Sequence, residues 1–271
     1  MTELFQYDFF VNAFYAIILT SIICGIAGSL IVVNQMVFLA GAVAHAAYGG
    51  VGLAFFFDMP VIPTTFAFSS ITSAFLGFYT YNKNTRLDSL IGIFWAIGMA
   101  LGIILIDLTP GYSGNLMSYL FGGLFAVSNM DIFQMAVLVV LLLSFIGLSY
   151  NKIVLFSFDK EFAYVKGINL MFYHIVLIVI FSMSIVLLIK TVGLILVIAM
   201  LTIPQHLSEK KSSSLAWMML LSSLYAIFFG ISGLFLSYYF NITSGASIVG
   251  FGALYYILEK MLLKIKRYAK V

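Results

Sequence analysis

Long apolar runs restrict what this sequence can fold into. Eight of the intervals between consecutive charged residues are 18 residues or longer, close to the roughly 20 mainly apolar residues that a helix needs to cross a bilayer. Hydrophobic residues make up 63% of the chain and charged residues 8%, and the mean hydropathy is +1.14. A water-soluble domain with a polar surface does not reach these values, so lipid is the expected solvent.

The runs predict an all-α, polytopic membrane protein with eight or nine transmembrane helices in a single domain, residues 1–271. The predicted spans, bounded by charges, turn residues, Pro and Gly, are 10–33, 36–57, 61–81, 90–108, 131–149, 171–189, 191–203, 215–239 and 246–263. Segment 110–129 contains an apolar run of only about a dozen residues, which is too short to cross. It is expected to be re-entrant or interfacial.

Basic residues predict the orientation of the chain. With the N-terminus outside and 110–129 not crossing, twelve of the thirteen basic residues fall in cytoplasmic segments and only Lys190 lies outside. The C-terminus is then cytoplasmic. The first span is expected to be retained, because no basic region or small-residue cleavage site accompanies it.

Two predicted spans are irregular. The span 191–203 is short and ends at Pro204, and the segment 244–253 opens on small residues that permit close helix packing. Irregular backbone at membrane depth is tolerated only where it is buried in protein or lines a cavity. Both segments are therefore candidates for a path through the membrane.

Motifs for catalysis do not occur in the sequence. No G-x-x-x-x-G-K-[ST] phosphate cradle and no H-E-x-x-H zinc motif is found. Cys24 is the only cysteine and is expected to be a buried packing residue. The chain is expected to be no enzyme and to hold no permanent cofactor, so that any ATP hydrolysis would take place on another chain.

Inside the spans, histidine is the main polar residue that could have a functional role. His45 lies among small residues in the second span, and leaving its buried imidazole unsatisfied would cost roughly 1–3 kcal/mol. It either forms an interhelical hydrogen bond that stabilises the bundle or lines an ion path as a ligand. His174 is expected at the cytoplasmic interface and His206 in a solvated loop.

The largest charged segment is the loop 151–170. Its pattern of charged and apolar residues predicts one or two helical turns that stop at Gly167. Such a helix either lies on the membrane surface or docks into a groove on a soluble partner.

Five collinear segments resemble the permease family of zinc, manganese and iron ATP-binding-cassette (ABC) importers. LAGAVAHAAYGGVGLAF is similar to the family's glycine–aspartate-x-x-x-histidine-alanine stretch, and LMSYLFGGLFAVSNMD at 116–131 to its Leu-Phe-Gly segment. FDKEFAYVKG at 158–167 resembles the cytoplasmic coupling stretch, and VGLILVIAMLTIP and SGASIV resemble two later signatures. The matching residues are His45, Ala46, Gly50, Val51, Asp159, Glu161, Ala163 and Gly167.

The resemblance implies a homodimeric permease in the plasma membrane of a bacterium or archaeon. It implies that His45 is a ligand on the path of a transported divalent metal ion. It also implies that the short helix around Asp159, Glu161, Ala163 and Gly167 is a coupling helix that docks on a separate ABC ATPase. An extracytoplasmic binding protein would deliver the metal, and nucleic acid is not an expected partner.

One departure from the family pattern concerns the metal. Aligned on His45, Gly41 stands where the family has its aspartate, one helical turn away on the same face. Imidazole without a carboxylate shifts the preference from manganese toward zinc, copper, iron or nickel, and zinc is the favoured ion with manganese and iron as alternatives. Alternatively, the oxygen ligand comes from elsewhere in the protein, or the cargo is not a bare metal ion.

Three rival functions remain at this point. A permease for a metal chelate or a cobalamin-like ligand would need no central histidine. An ATP-independent secondary carrier would use the 159–167 helix as an ordinary interfacial segment. The only observation that favours a membrane scaffold is the shortage of polar groups inside the spans.

Overall fold

A computed structural model describes residues 6–81, 87–110, 122–194 and 196–268, and every regular element in these ranges is helical. The α-helices in chain order are α1 (Asp8–Val33), α2 (Val37–Phe56), α3 (Val61–Tyr81), α4 (Leu87–Asp107), α5 (Asn129–Phe158), α6 (Lys160–Val165), α7 (Leu170–Val192), α8 (Val197–Met200), α9 (Ile203–Glu209), α10 (Leu215–Phe240) and α11 (Ser244–Tyr268). A short 3-10 helix covers Leu124–Ala126.

Seven of the described helices, α1 to α5, α7 and α10, are long and apolar enough to cross a membrane. Helix α11 has 25 residues, and charged side chains occupy its C-terminal half. The predicted all-α, polytopic fold is confirmed. The apolar runs located the helices but ended two of them too early, at 149 and 263, because hydrogen bonding continues α5 and α11 past their apolar cores.

The predicted span 191–203 is wrong, because the described chain forms no spanning helix there. Helix α7 ends at Gly193, whose φ of +96° suits glycine, and only the four residues of α8 and the seven of α9 are α-helical beyond it. Pro204 lies in the first turn of α9, where its missing N–H costs no hydrogen bond. The described residues beyond α7 therefore form two short helices separated by turns instead of one spanning helix.

One end of the bundle contains the start of α1 and the segment 122–128. Leu124 N–H donates to Ser244 Oγ (3.2 Å), and Gly123 N–H donates to the carbonyl of Lys190 at the end of α7 (3.0 Å). We call this the 122–128 end. The rest of the predicted re-entrant segment, residues 111–121, lies outside the described residues.

The opposite end of the bundle contains α6, and we call it the α6 end. Asn34 after α1 donates to Ser157 Oγ near the end of α5 (3.0 Å). At the same end Tyr150 Oη accepts from the N–H of Ala216 at the start of α10 (3.1 Å).

Burial differs sharply between the helices. Within its most apolar window α1 is 72% buried and α2 78%, whereas α4 is 17% and α5 22% buried. Helices α1 and α2 thus form the core of the chain. Helices α4 and α5 present broad apolar faces to the outside, to lipid or to a second chain.

Candidate transport path and coupling surface

Helices α2 and α4 pack with their backbones in contact. A Cβ atom added at Gly98 would lie 2.4 Å from Ala46 Cα, and one added at Gly102 would lie 2.5 Å from the carbonyl oxygen of Tyr48. Such an approach is open only to glycine, as in other membrane helix pairs with small residues at the contact.

The close approach stacks His45 of α2 on Trp95 of α4. The ring centroids are 4.0 Å apart and the rings are inclined by 17°. Both residues are half-buried, so part of the stack reaches the outer surface of the chain. Nδ1 of His45 is buried and has no hydrogen-bond partner in the described part of the chain.

Gly41, one turn before His45, faces two side chains from other helices. A Cβ atom at this position would lie 3.1 Å from Ile198 Cδ1 of α8 and 3.5 Å from Trp95 Cζ3. The irregular segment after α7 therefore reaches the same site as α2 and α4. Sequence reasoning missed Trp95 and Ile198, because nothing in an apolar run distinguishes these residues from lipid-facing ones.

The described residues around this site do not form a cluster of potential metal ligands. Across the described ranges, no three His, Cys, Asp or Glu side chains lie close enough together to hold a metal ion. Within the described ranges His45 therefore stands apart from any cluster of potential metal ligands.

The other two histidines make contacts that the sequence did not reveal. His174, in the first turns of α7, is buried within the chain, and its Nε2 lies 3.0 Å from Thr80 Oγ1 of α3. His206 lies on α9 rather than in a loop, with Nδ1 3.5 Å from Glu209 Oε2 and its ring 5.8 Å from that of Tyr256. These contacts connect neighbouring helices or turns, which apolar patterning cannot detect.

The predicted short helix in the loop 151–170 is confirmed as α6. Asp159 Oδ1 caps it by accepting from the N–H of Phe162 (2.9 Å), and Gly167 follows its end with φ +74°. Ala163 is fully buried against the bundle, whereas Glu161 is exposed. The helix therefore has one anchored face and one free face.

Two clefts open at the α6 end. One of about 750 Å³ lies beside α6 and is lined by Thr80, Tyr81, Asp88, Lys160, Glu161 and His174, among others. A second, of about 650 Å³, lies between the end of α5 and the segment 212–215. Clefts with mixed polar and apolar walls can receive side chains of a partner protein.

Lys211 fastens the segment after α9 to the last helix. Its ammonium donates to Tyr225 Oη (2.6 Å) and lies 2.8 Å from Glu259 Oε1. Burial lowers the pKa of Lys211, but these hydrogen bonds and charges outweigh it and hold the pKa above its usual range. The ammonium thus stays charged at physiological pH.

The described chain is thus a bundle of long apolar helices, with an imidazole stacked between two tightly packed helices and a short capped helix at one end. The profile of the ABC 3 transport family matches residues 6–263, and the chain belongs to this family.

Three known proteins are similar over nearly the whole chain. An uncharacterized membrane protein of Synechocystis sp. is 39% identical over 96% of this chain and 92% of its own length. The manganese transport system membrane protein MntC of Listeria monocytogenes is 31% identical over 91% and 88%. The solved structure of PsaBC from Streptococcus pneumoniae with a Fab matches at a TM-score of 0.85 and 31% identity, over 94% of this chain and 92% of that one.

Proposed function

We propose that this chain is the membrane-spanning subunit of an ABC importer that carries a divalent transition-metal ion into the cytoplasm, with manganese as the favoured ion. Membership of the ABC 3 transport family supports the transport role, and the name of the Listeria relative supports manganese. The preference for zinc, which came from Gly41, finds no support in that name.

His45 is the observation that carries the proposal. Its imidazole is half-buried, and its buried Nδ1 has no partner in the described part of the chain. In a homodimer two such rings would give two nitrogen ligands, fewer than the four of a tight structural zinc site. A sparse site suits transit, because conduction needs binding that is weak enough to release the ion.

Helix α6 is proposed as the contact with a separate ATPase. In this view Asp159, Ala163 and Gly167 build and anchor the helix, and Glu161 on its free face meets the partner. Movement of the ATPase would shift α6 and the helices packed on it, a rigid-body change of the kind that switches access to a central site. A binding protein that delivers the metal would dock at the 122–128 end.

The charges of the two ends support this orientation. Seven described lysines lie at the α6 end, namely Lys152, Lys160, Lys166, Lys210, Lys211, Lys260 and Lys264. At the 122–128 end Lys190 pairs with Asp131. By the positive-inside rule this distribution supports a cytoplasmic α6 end and an N-terminus on the outside.

Metal uptake by cells that lack this chain tests the proposal. Cells complemented with the wild-type chain, His45→Ala or His206→Ala are assayed with Mn²⁺, Zn²⁺ and Fe²⁺ at matched membrane abundance. We expect wild-type and His206→Ala to restore Mn²⁺ uptake and His45→Ala to fail. Undiminished uptake by His45→Ala would overturn the ligand role, and no metal uptake by the wild-type chain would favour an organic ligand instead.

A further inference from the structure

We propose that Trp95 positions the His45 imidazole and, with Ile198, determines which metal ions the path admits. The proposal rests on the proposed function, since it concerns the selectivity of the same path. It starts from the stacked rings, 4.0 Å apart and inclined by 17°.

Stacking restrains the imidazole without blocking its ligand atoms. A histidine binds a metal through a ring nitrogen, in the plane of the ring, whereas a stacked indole covers only the face. Ligand histidines are usually oriented by a hydrogen bond to the second ring nitrogen. For His45 the described part of the chain supplies no such bond to the buried Nδ1, and Trp95 is the neighbour that fixes the ring plane.

Trp95 also closes the space beside the histidine. Its Cζ3 and the Cδ1 of Ile198 lie 3.5 and 3.1 Å from where a Cβ of residue 41 would stand. A side chain at position 41 would contact both of these residues, and the turn from Gly41 to His45 carries no oxygen-bearing side chain. Hard cations, which prefer oxygen ligands, must therefore obtain oxygen from water or elsewhere.

Kinetics of uptake separate positioning from folding. We compare Trp95→Leu, which removes the stack, with Trp95→Phe, which keeps an aromatic face. The control is Trp217→Leu, because Trp217 is the only other tryptophan and is exposed on α10. We expect the KM for Mn²⁺ to rise about tenfold in Trp95→Leu, the typical effect of losing an orienting neighbour, with a smaller change in maximal rate.

In Trp95→Phe and Trp217→Leu the KM for Mn²⁺ is expected to stay within about twofold of the wild-type value. The loss of an orienting group would instead change it tenfold or more. The ratio of Zn²⁺ to Mn²⁺ uptake should change most in Trp95→Leu, because this variant loses both the stacked ring and the Cζ3 atom beside Gly41, and less in Trp95→Phe, which keeps an aromatic ring. An unchanged KM and an unchanged ratio in Trp95→Leu would overturn the proposal.

Tryptophan fluorescence gives a second, direct readout. In Trp217→Phe, Trp95 is the only tryptophan, so the emission of the purified protein reports on the stack. We expect Mn²⁺ and Zn²⁺ to change this emission, and His45→Ala in the same background to abolish the response. Uptake by Trp217→Phe without any metal-dependent emission would overturn the positioning role, whereas absence of metal uptake by the wild-type chain would overturn the proposed function itself.

Discussion

Nζ of Lys190, at the end of α7, lies 2.5 Å from Oδ2 of Asp131 in the first turn of α5. Asp131 is almost fully buried and also accepts hydrogen bonds from the backbone N–H (2.8 Å) and hydroxyl (2.6 Å) of Ser128. Through Ser128 the carboxylate of the pair also binds the segment 122–128, which donates separately from Gly123 N–H to the backbone carbonyl of Lys190. The ion pair thus joins three elements at one end of the bundle.

Lys190→Met is expected to destabilise the protein by about 2 kcal/mol. Removing one partner of a fully buried pair costs roughly 3–5 kcal/mol, and the cost is smaller here because Lys190 is partly exposed and Ser128 still binds the carboxylate. The melting temperature in detergent measures the effect. The double variant Asp131→Asn with Lys190→Met should regain much of the loss, and equal melting temperatures for single and double variants would contradict this account.

Gly98→Ala is expected to push α4 away from α2. The added Cβ would lie 2.4 Å from the backbone of Ala46, and overpacking of this kind costs roughly 1–3 kcal/mol. Because Ala46 adjoins His45, metal uptake should fall as well. Uptake and thermal stability at the level of wild type would show that the two helices do not meet as described.

Gly92→Ala is the matched control on the same helix. Apart from the backbone of α4 itself, no described atom lies within 4 Å of the Cβ that alanine would add at Gly92. Alanine is the better helix former by about 1 kcal/mol, so this variant should be neutral or slightly more stable.

Hydropathy predicted the spans and the loop pattern predicted α6, because both are local properties. The stop at Gly167 needs only a residue that tolerates positive φ, and this can be recognised in sequence. The burial of Cys24 followed from its place in an apolar run. The sequence was therefore sufficient where the position of a helix depends only on its hydropathy and on its own capping residues.

Contacts between distant segments were not predictable in this way. Whether residues 191–203 form a helix depends on how Gly193 and the turns after it fit between α2 and α7. The hydropathy of the segment cannot decide this, because it is the same for a helical and a non-helical backbone. Likewise Trp95 is fifty residues from His45, and only the packing of α4 on α2 brings the rings together. His45 itself was singled out by resemblance as well as by its apolar setting.

The N-cap of α6 gives a prediction for the coupling surface. Asp159→Ala removes the acceptor for the N–H of Phe162 and should weaken the six-residue helix by about 1 kcal/mol. Under the coupling role proposed for α6, a fraying helix should reduce the ATP hydrolysis stimulated through the chain when it is reconstituted with the proposed ATPase partner. Asp159→Asn can still cap the helix and should retain most of the activity, so equal losses in both variants would point to the charge rather than the cap.

Gln205 anchors the irregular segment to α1. Its Nε2 donates to the carbonyl oxygen of Cys24 (2.7 Å), and both residues are fully buried. Gln205→Ala removes this bond and leaves a cavity beside Cys24, so local opening should become easier. Cys24 is the only cysteine, and the rate of its labelling by a maleimide therefore reports the opening directly.

We expect labelling of Cys24 in the folded protein to be very slow in wild type and at least about tenfold faster in Gln205→Ala. A tenfold change corresponds to 1.4 kcal/mol, within reach of a lost hydrogen bond plus a cavity. His206→Ala, on the half-exposed neighbour, should leave the rate unchanged. Equal rates in Gln205→Ala and wild type would mean that other contacts, and not this hydrogen bond, hold the segment after α7 against α1.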